Sequence, residues 1–387
     1  MALTQFAVAS ARAPVTVAPV LGVRQMMEFV HFARKLYADD PHYRSLPDLL
    51  VLDQLSARRN PWFEHGEAQL FLARRGNEVV GRISAQIDHE HLKIHDDQAG
   101  FFGFFECEDD LDTARALLSV AEDWCRARGL QRMRGPFSFS INEVCGLLVE
   151  GFDTPNYVMM AHGRPYYPEL LAKLGYEGAM DLFAWRYVRE HPPEQVTQIA
   201  DAVAEYPGLV VRELDMKNLE RDVQIIMDIF NDAWSRNWGF VPLTPAEVAK
   251  VVTEFRLIAD PKICLIAEVD GVPAAMAVAL PNINEAFHEL DGRLFPLGWA
   301  RAIYNLKVKR PRTFRQILLG VKKEFRGSVL GGLSLHLYVT IHRNAYARGY
   351  EEAEASWTLA NNERINYGMS FMGAEHYKTY RIFEKGL

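Results

Sequence analysis

One α/β sequence unit occurs twice along this chain, and that repeat restricts the possible folds more than any other feature. Two segments read as strand, tight turn, strand: QLFLARRGNEVVGRISAQI (69–87) and ICLIAEVDGVPAAMAVAL (263–280). In each, a polar residue and a glycine separate two apolar runs, which is β-hairpin chemistry. Each hairpin is followed by a stretch ending in Ala-Arg-Gly, LDTARALLSVAEDWCRARG (111–129) or LGGLSLHLYVTIHRNAYARG (330–349). Apolar residues recur there at three- and four-residue spacing, which predicts helices with Gly129 and Gly349 just past their ends. A strand-like run follows each, then a short helix ending near LGY (174–176) or MGA (372–374). A last strand closes each copy, MDLFAWRY (180–187) or HYKTYRIFEK (376–385).

The spacings show where the copies differ. Turn glycine to helix-end glycine is 53 residues in the first copy (Gly76 to Gly129) and 78 in the second (Gly271 to Gly349). Helix end to the last short helix is 46 residues in the first (Gly129 to Gly175) and 24 in the second (Gly349 to Gly373). Each copy therefore carries one insertion, at a different place. EHPPEQ (190–195) reads as the linker. The division expected is a first domain at 1–190 and a second at 196–387, the latter with a basic and aromatic insertion at about 285–315. A chain of 387 residues is long enough for two such domains.

A net charge of −7 argues against nucleic acid as a partner by bulk electrostatics. The four cysteines, Cys107, Cys125, Cys145 and Cys264, form no CxxC pair, which suits a reducing compartment. MALTQFAVASARAP lacks the basic and apolar regions of a signal peptide. No apolar run reaches the about 18 residues of a spanning helix. The expected location is the cytoplasm, with the inner face of its membrane as a surface the chain can lie against.

The strand-to-helix junction occurs in both copies with opposite charge. In the first, FFGFFECEDDLDTA surrounds the helix start with carboxylates, which suit a helix N-terminus and repel phosphate. In the second, ILLGVKKEFRGSVLGG brings Lys322, Lys323 and Arg326 to a glycine-rich helix start, where free amides can face an anion. A solvated basic turn is the plainer reading of the same residues.

These features resemble tandem GCN5-related N-acyltransferases (GNAT). That family holds the acyl-CoA pyrophosphate on a Q/R-x-x-G-x-G/A loop, and Arg326, Gly327, Ser328, Val329, Leu330 and Gly331 stand in that register, with Val329 where glycine is usual. The resemblance extends to a following strand, EEAEASW (351–357), to Asn361 and Asn362, and to a short helix ending at Gly373. Met369 occupies the place where the family often has a tyrosine acid, and Tyr367 lies nearby on another side of the helix. FFECEDD, RGPFSFSINEVCGLLVEGFD, YYPELLAKLGY and YKTYRIFEK narrow the resemblance to a YghO-type group and to bacterial ceramide synthases, over nearly the whole chain. The fold implied is α/β (α+β): two tandem GNAT-like domains, each a mixed, mostly antiparallel twisted sheet flanked by helices, the first degenerate and substrate-side, the second binding acyl-CoA. The activity implied is direct transfer of an acyl group to an amine, with acyl-CoA as co-substrate, an amphiphilic amine as acceptor and no metal. Leu319, Gly320 and Val321 would supply the oxyanion donor and Asn361 would lie by the donor.

For the base, the resemblance directs attention to the strand after the cradle helix. Alternation puts Glu352, Glu354 and Ser356 on one face and Trp357 on the other. Glu354 is the first candidate, with Ser356 and Tyr380 as relays or acids; Glu143 is the second, a carboxylate in an apolar stretch. A solvent-facing strand residue and a helix cap are the plainer alternatives. Phe137, Phe139 and Leu147, with Asn142, come from the first insertion, RGPFSFSINEVCGLLVEGFDTPNYVMM (134–160), and with Trp357 either line an acceptor groove or belong to a core.

Between Arg301 and Arg326, nine Lys/Arg accompany one acid, Glu324. With Phe295, Trp299, Ile303, Tyr304 and Leu306 this reads as an interfacial segment, or as a helix with its apolar side buried and its basic side wet. DHEHLKIH (88–95), with His91 and His95 four apart, reads as a solvated loop after a strand and not as a metal site. Two other functions stay open: transfer to a small soluble amine or amino acid, and a non-catalytic acyl-CoA-binding or membrane adaptor.

Overall fold

Strands from both copies join one sheet. The computed structural model describes residues 13–188 and 191–387; the first twelve residues, read above for a signal, and residue 190 of the linker lie outside them. In chain order the strands among the described residues are β1 (Val15–Pro19), β2 (Gly66–Arg75), β3 (Glu78–Asp88), β4 (Ala99–Cys107), β5 (Arg132–Gly135), β6 (Leu147–Glu150), β7 (Glu177–Tyr187), β8 (Leu209–Glu213), β9 (Cys264–Val269), β10 (Val272–Pro281), β11 (Thr313–Val321), β12 (Glu352–Leu359) and β13 (Glu375–Gly386). The helices are α1 (Gly22–Leu36), α2 (Asp48–Leu55), α3 (His89–His95), α4 (Leu111–Arg126), α5 (Tyr167–Lys173), α6 (Glu194–Ala204), α7 (Leu219–Trp234), α8 (Pro245–Ile258), α9 (Ile283–Phe287), α10 (Gly298–Tyr304), α11 (Leu333–Ala347) and α12 (Glu363–Phe371).

The sheet order is β1-β2-β3-β4-β5-β13-β7-β12-β11-β10-β9-β8, with β6 added beside β13. Both hairpins form, β2 with β3 and β9 with β10. The closing strands are exchanged: β7 pairs with β12 of the second copy, β13 pairs with β5 of the first, and the two pair with each other at the centre. Apolar alternation says which faces of a strand are buried; it does not say which strand lies beside it. The repeat was therefore readable in sequence and the exchange was not.

In each copy two parallel strands begin side by side and then part. β4 and β5 pair over Ala99–Phe101 and Arg132–Arg134, and β11 and β12 over Thr313–Gln316 and Glu352–Ala355. The first gap is plugged by the copy's own insertion. Phe137 N–H donates to Phe102 O (2.8 Å) and Gln86 Nε2 donates to Phe137 O (2.6 Å). The segment runs so close that a Cβ on Gly103 would lie 1.7 Å from Phe137 O, so only glycine fits there. In the second copy β11 continues to Val321 against β10 alone among the described residues.

α11 packs on one face of β9–β12 through Leu333, Leu337, Ile341 and Ala345. α7 and α8 cover the opposite face of β9 and β10 through Val223, Ile226, Phe230 and Val252. At the acidic junction Asp110 caps α4 by accepting from Asp112 N and Thr113 N, and Arg75 pairs with Glu108 and Asp110. Asp110 thus serves the helix end, as its position suggested, while Glu106 accepts from the hydroxyls of Tyr37 and Tyr167 instead. DHEHLKIH differs from its sequence reading. It forms α3, because Asp88 accepts from the amides of Glu90 and His91 and starts the helix at the strand's end. His91 is buried against Asp97 (Nε2 to Oδ1, 3.1 Å) rather than solvated.

Candidate active site

β12 reads EAEASWTL, and its alternation sorts the chemistry. Ala353 and Ala355 face the cores beneath α11. Glu354 points the other way and is 0% exposed. Its Oε1 accepts from Ser356 Oγ at 2.5 Å, and its Oε2 accepts from the hydroxyl of Tyr377. Arg315, the register partner of Glu354 on β11, lies 3.8 Å away, Nε to Oε1. The same Nε donates to Ser356 Oγ (2.7 Å), and the remaining nitrogens donate to the carbonyls of Val158 (3.0 Å), Met159 (3.3 Å) and Ser356 (3.0 Å). A buried carboxylate is tolerable only when paired and hydrogen-bonded, and this one is both.

β13 adds the rest through the exchange. Lys378 is fully buried and donates to the carbonyls of Thr154 (3.0 Å) and Pro155 (2.8 Å). Burial pulls its ammonium down to about 8, against the opposing charges of Glu354, Asp153 and Glu352. Burial first, and the Glu354 charge second, raise the Tyr377 hydroxyl far above its ordinary range, so it holds its proton. Burial does the same to Tyr380, whose hydroxyl is fully buried and has no hydrogen-bond partner among the described residues. Two buried cations, Arg315 and Lys378, thus pin the 154–159 loop of the first copy over the carboxylate of the second.

Glu143 stands apart, half-buried in the first insertion. It accepts from Gln54 Nε2 at 2.5 Å. Burial raises its carboxyl to about 7, with Gln54 and Lys250 pulling the other way. Asn142 Nδ2 donates to Val241 O (2.9 Å), tying the insertion to the second copy. Leu147, Phe137 and Phe139 fall into three separate cores, and Phe137 and Phe139 also line one small cavity with Trp238 and Val241. Phe139, for one, stacks on Trp62 with ring centroids 4.8 Å apart. Trp357 is half-buried against the core that holds Phe137 and Tyr380.

The cradle stretch joins β11 to α11 through two short 3-10 turns. A Cβ on Gly327 or Gly331 would meet nothing within 4 Å, so a ligand can approach the backbone there. The lysines and Arg326 are held by α7. Lys322 Nζ pairs with Asp228 (2.5 Å), Lys323 Nζ reaches Ser235 Oγ (3.0 Å), and Arg326 donates to the carbonyls of Val321 (2.7 Å) and Ala233 (3.2 Å). Leu330 is buried, Asn361 is exposed in the turn before α12, and the side chains of Ser328 and Val329 lie outside the described part. Lys322 N–H donates to Ala274 O across the β10–β11 ladder. Antiparallel alternation from that bond turns the amides of Gly320 and Leu318 toward β10. It turns those of Leu319 and Val321 toward the side that β12 has left. Met369 is buried and accepts from Tyr338 OH (3.1 Å), while Tyr367 is exposed.

The 293–316 segment turns most of its apolar residues outward, while Leu294 and Leu306 pack inward and Phe314 is buried. Phe295, Leu297, Trp299, Ile303, Tyr304 and Val308 are all at least 50% exposed, and Ala302 and Asn305 anchor the inner side. Lys307 reaches Leu257 O, and Leu257 is itself exposed, which widens the patch. This is the reverse of a helix that buries its apolar side.

Sequence reasoning missed Arg315, Tyr377 and Lys378. The available signal was Arg315 beside the apolar run of TFRQILLG and Lys378 within HYKTYRIF, where a second charge, Arg381, follows three residues on. Their convergence on Glu354 depends on the strand exchange.

The bacterial ceramide synthase of Caulobacter vibrioides (strain NA1000 / CB15N) is 39% identical to the chain over 380 residues, covering 98% of this chain and 99% of that protein. Protein YghO of Escherichia coli (strain K12) is 38% identical over 370 residues, 94% of each. Among solved structures, a GCN5-related N-acetyltransferase from Sphaerobacter thermophilus superposes with a TM-score of 0.53 at 14% identity, over 96% of this chain and 95% of that one. A tandem GNAT protein from the clavulanic acid biosynthesis pathway gives 0.56 at 12% identity, over 96% and 98%. No protein-family model matches. At such identities the structural likeness speaks for the fold, which is the GNAT fold that the sequence resemblance implied.

Proposed function

Because the chain belongs to the family of bacterial ceramide synthase and YghO and is an acyltransferase, we propose that it transfers a long-chain acyl group from acyl-CoA to the amine of a sphingoid base by direct attack on the thioester. The observation that carries this reading is the Glu354–Tyr377–Ser356 cluster, set one residue from the point where β11 and β12 part.

An ammonium loses two protons on becoming an amide. Glu354 takes one through the Tyr377 hydroxyl, which passes its own proton on as it accepts the amine's. The amine's second proton passes to Tyr380 as Tyr380 hands its own to the departing sulfur, so the N–C bond forms as the C–S bond breaks and the products are the amide, the free thiol and the protonated Glu354 carboxyl. The amides of Leu319 and Val321 face the carbonyl oxygen as charge builds there. Backbone amides at Gly327 and Gly331 receive the pyrophosphate, with Lys322, Lys323 and Arg326 lending a positive field while α7 holds them in place.

The assay is thiol release by purified protein with palmitoyl-CoA and a sphingoid base, together with mass spectrometry of the product. The expected product is the N-acylated base. Turnover of acetyl-CoA with a small soluble amine alone would replace the substrate reading, and donor binding without any turnover would replace the catalytic one.

The amine acceptor is amphiphilic and is met at an anionic membrane face. Support comes from the outward apolar row of 293–316 and its nearby Lys307, Lys309, Arg310 and Arg312. Among the described residues no helix is long and apolar enough to cross a membrane, and an interfacial contact needs none. The protein is expected to sediment with phosphatidylglycerol vesicles and not with phosphatidylcholine vesicles. Trp299→Ser with Ile303→Ser should abolish sedimentation, and added salt should weaken it. Equal binding to both vesicle types, or no effect of the two substitutions, would remove this surface from the proposal.

A further inference from the structure

A cavity of about 280 Å³ lies on the side of β12 away from Glu354, between α11 and α12. Tyr338 and Val339 line it from α11, Met369 from α12 and Met372 from just past its end, and Ala355 and Gln316 from the strands. The cavity is half open, with Val188 and Tyr346 exposed at its rim, and its inner wall is largely apolar. A concave apolar cleft with few polar groups is a ready place for an apolar ligand. Small side chains keep it open, since Ala345, Ala353, Ala355 and Ala374 all contribute to its wall.

Its inner end meets the reaction zone. Gln316 and Ala355 form the last register pair before β11 and β12 part. Gln316 Nε2 donates to the carbonyls of Leu318 and Val278, and its Oε1 is buried with no hydrogen-bond partner among the described residues. An unpartnered buried acceptor is costly unless a ligand donates to it. The arm that carries a CoA thioester has amide N–H groups able to do so.

We infer that this cavity takes the hydrocarbon chain of the acyl donor, with the thioester at the Gln316 end. The inference rests on the donor reading above and adds a place for the chain. The donor, and not the acceptor, is favoured because the cavity and the cradle-to-α11 junction share one face of the sheet, while Glu354 and its hydroxyls lie on the other.

Val339→Phe and Ala345→Phe narrow the cavity; Val339→Ala widens it with less risk to folding. Thermal melts establish that each variant is folded. kcat/KM is measured with thioesters from butyryl to stearoyl and one fixed base, and with bases of different chain length at one fixed donor. The Phe variants should lose palmitoyl transfer by at least about tenfold while keeping butyryl transfer, and Val339→Ala should move the optimum to longer donors. A separate arm reads binding of a fluorescent polyene fatty acid, which needs no turnover. Wild type should bind it and the Phe variants should not. Unchanged donor-length profiles, a shift in base-length preference instead, or equal probe binding by all variants would overturn the inference. If wild type turns over no thioester yet loses the probe on narrowing, the chain site stands and the catalytic reading fails.

Discussion

Replacing Glu354 by Gln is expected to lower kcat by about 10²–10⁴-fold, the usual contribution of a positioned base, with little change in KM for the donor. Glutamine keeps the shape but can accept from only one of the two hydroxyls through its single oxygen, while its NH2 faces the other, and it leaves Arg315 without its carboxylate, so a thermal melt establishes that the variant is folded before kcat is read. Tyr377→Phe removes the relay and should show a smaller loss of the same kind. Glu143 provides the contrast. Burial pushes its carboxyl up to about 7. A base works only when deprotonated, so if Glu143 held that role, kcat/KM would fall as pH drops through about 7, and Glu143→Gln would erase that limb. The expected result is that Glu143→Gln costs less than about tenfold and leaves the pH profile intact. A larger loss there than at Glu354 would move the base to the first insertion.

Arg315→Met is expected to destabilise the protein by on the order of 3–5 kcal/mol, the range for breaking a buried pair by removing one partner. Arg315 is 4% exposed, holds Ser356 against Glu354, and satisfies the carbonyls of Val158, Met159 and Ser356. Its loss leaves a buried carboxylate short of a counter-charge and three carbonyls short of a donor. Urea unfolding should show a lower midpoint. Arg315→Met combined with Glu354→Gln should recover part of the loss, because the two sites are coupled. A double variant no more stable than simple addition allows would mean that Arg315 acts only through the loop carbonyls.

The reading of β12 shows what periodicity carries and what it leaves out. Alternation placed Glu354 and Ser356 together on one face, and the structure has them hydrogen-bonded. Periodicity left open whether that face met water or protein, and it could not supply Tyr377, which comes from a strand donated across the sheet. The first insertion carries the opposite lesson. Phe137 and Phe139 suited a groove as well as a core; the gap between β4 and β5 took the backbone of Phe137, and Trp62 and Phe63 took the ring of Phe139, both visible only in three dimensions. The basic, glycine-rich turn before α11 was legible as charge beside glycine, while the hold of α7 on Lys322 and Arg326 was not, since Asp228 and Ala233 lie far off in sequence.

By itself, the sequence determined the duplicated strand–helix unit, its hairpins, the opposite charge at the two junctions and the place of each insertion. These are local properties, written in spacing and in the identity of neighbouring residues. Tertiary structure alone decided the exchange of closing strands, the plugging of the first gap and the assembly of Arg315, Glu354, Tyr377 and Lys378 into one buried cluster. Pairing between distant strands depends on the packing of the whole sheet, and no short stretch of chain encodes it.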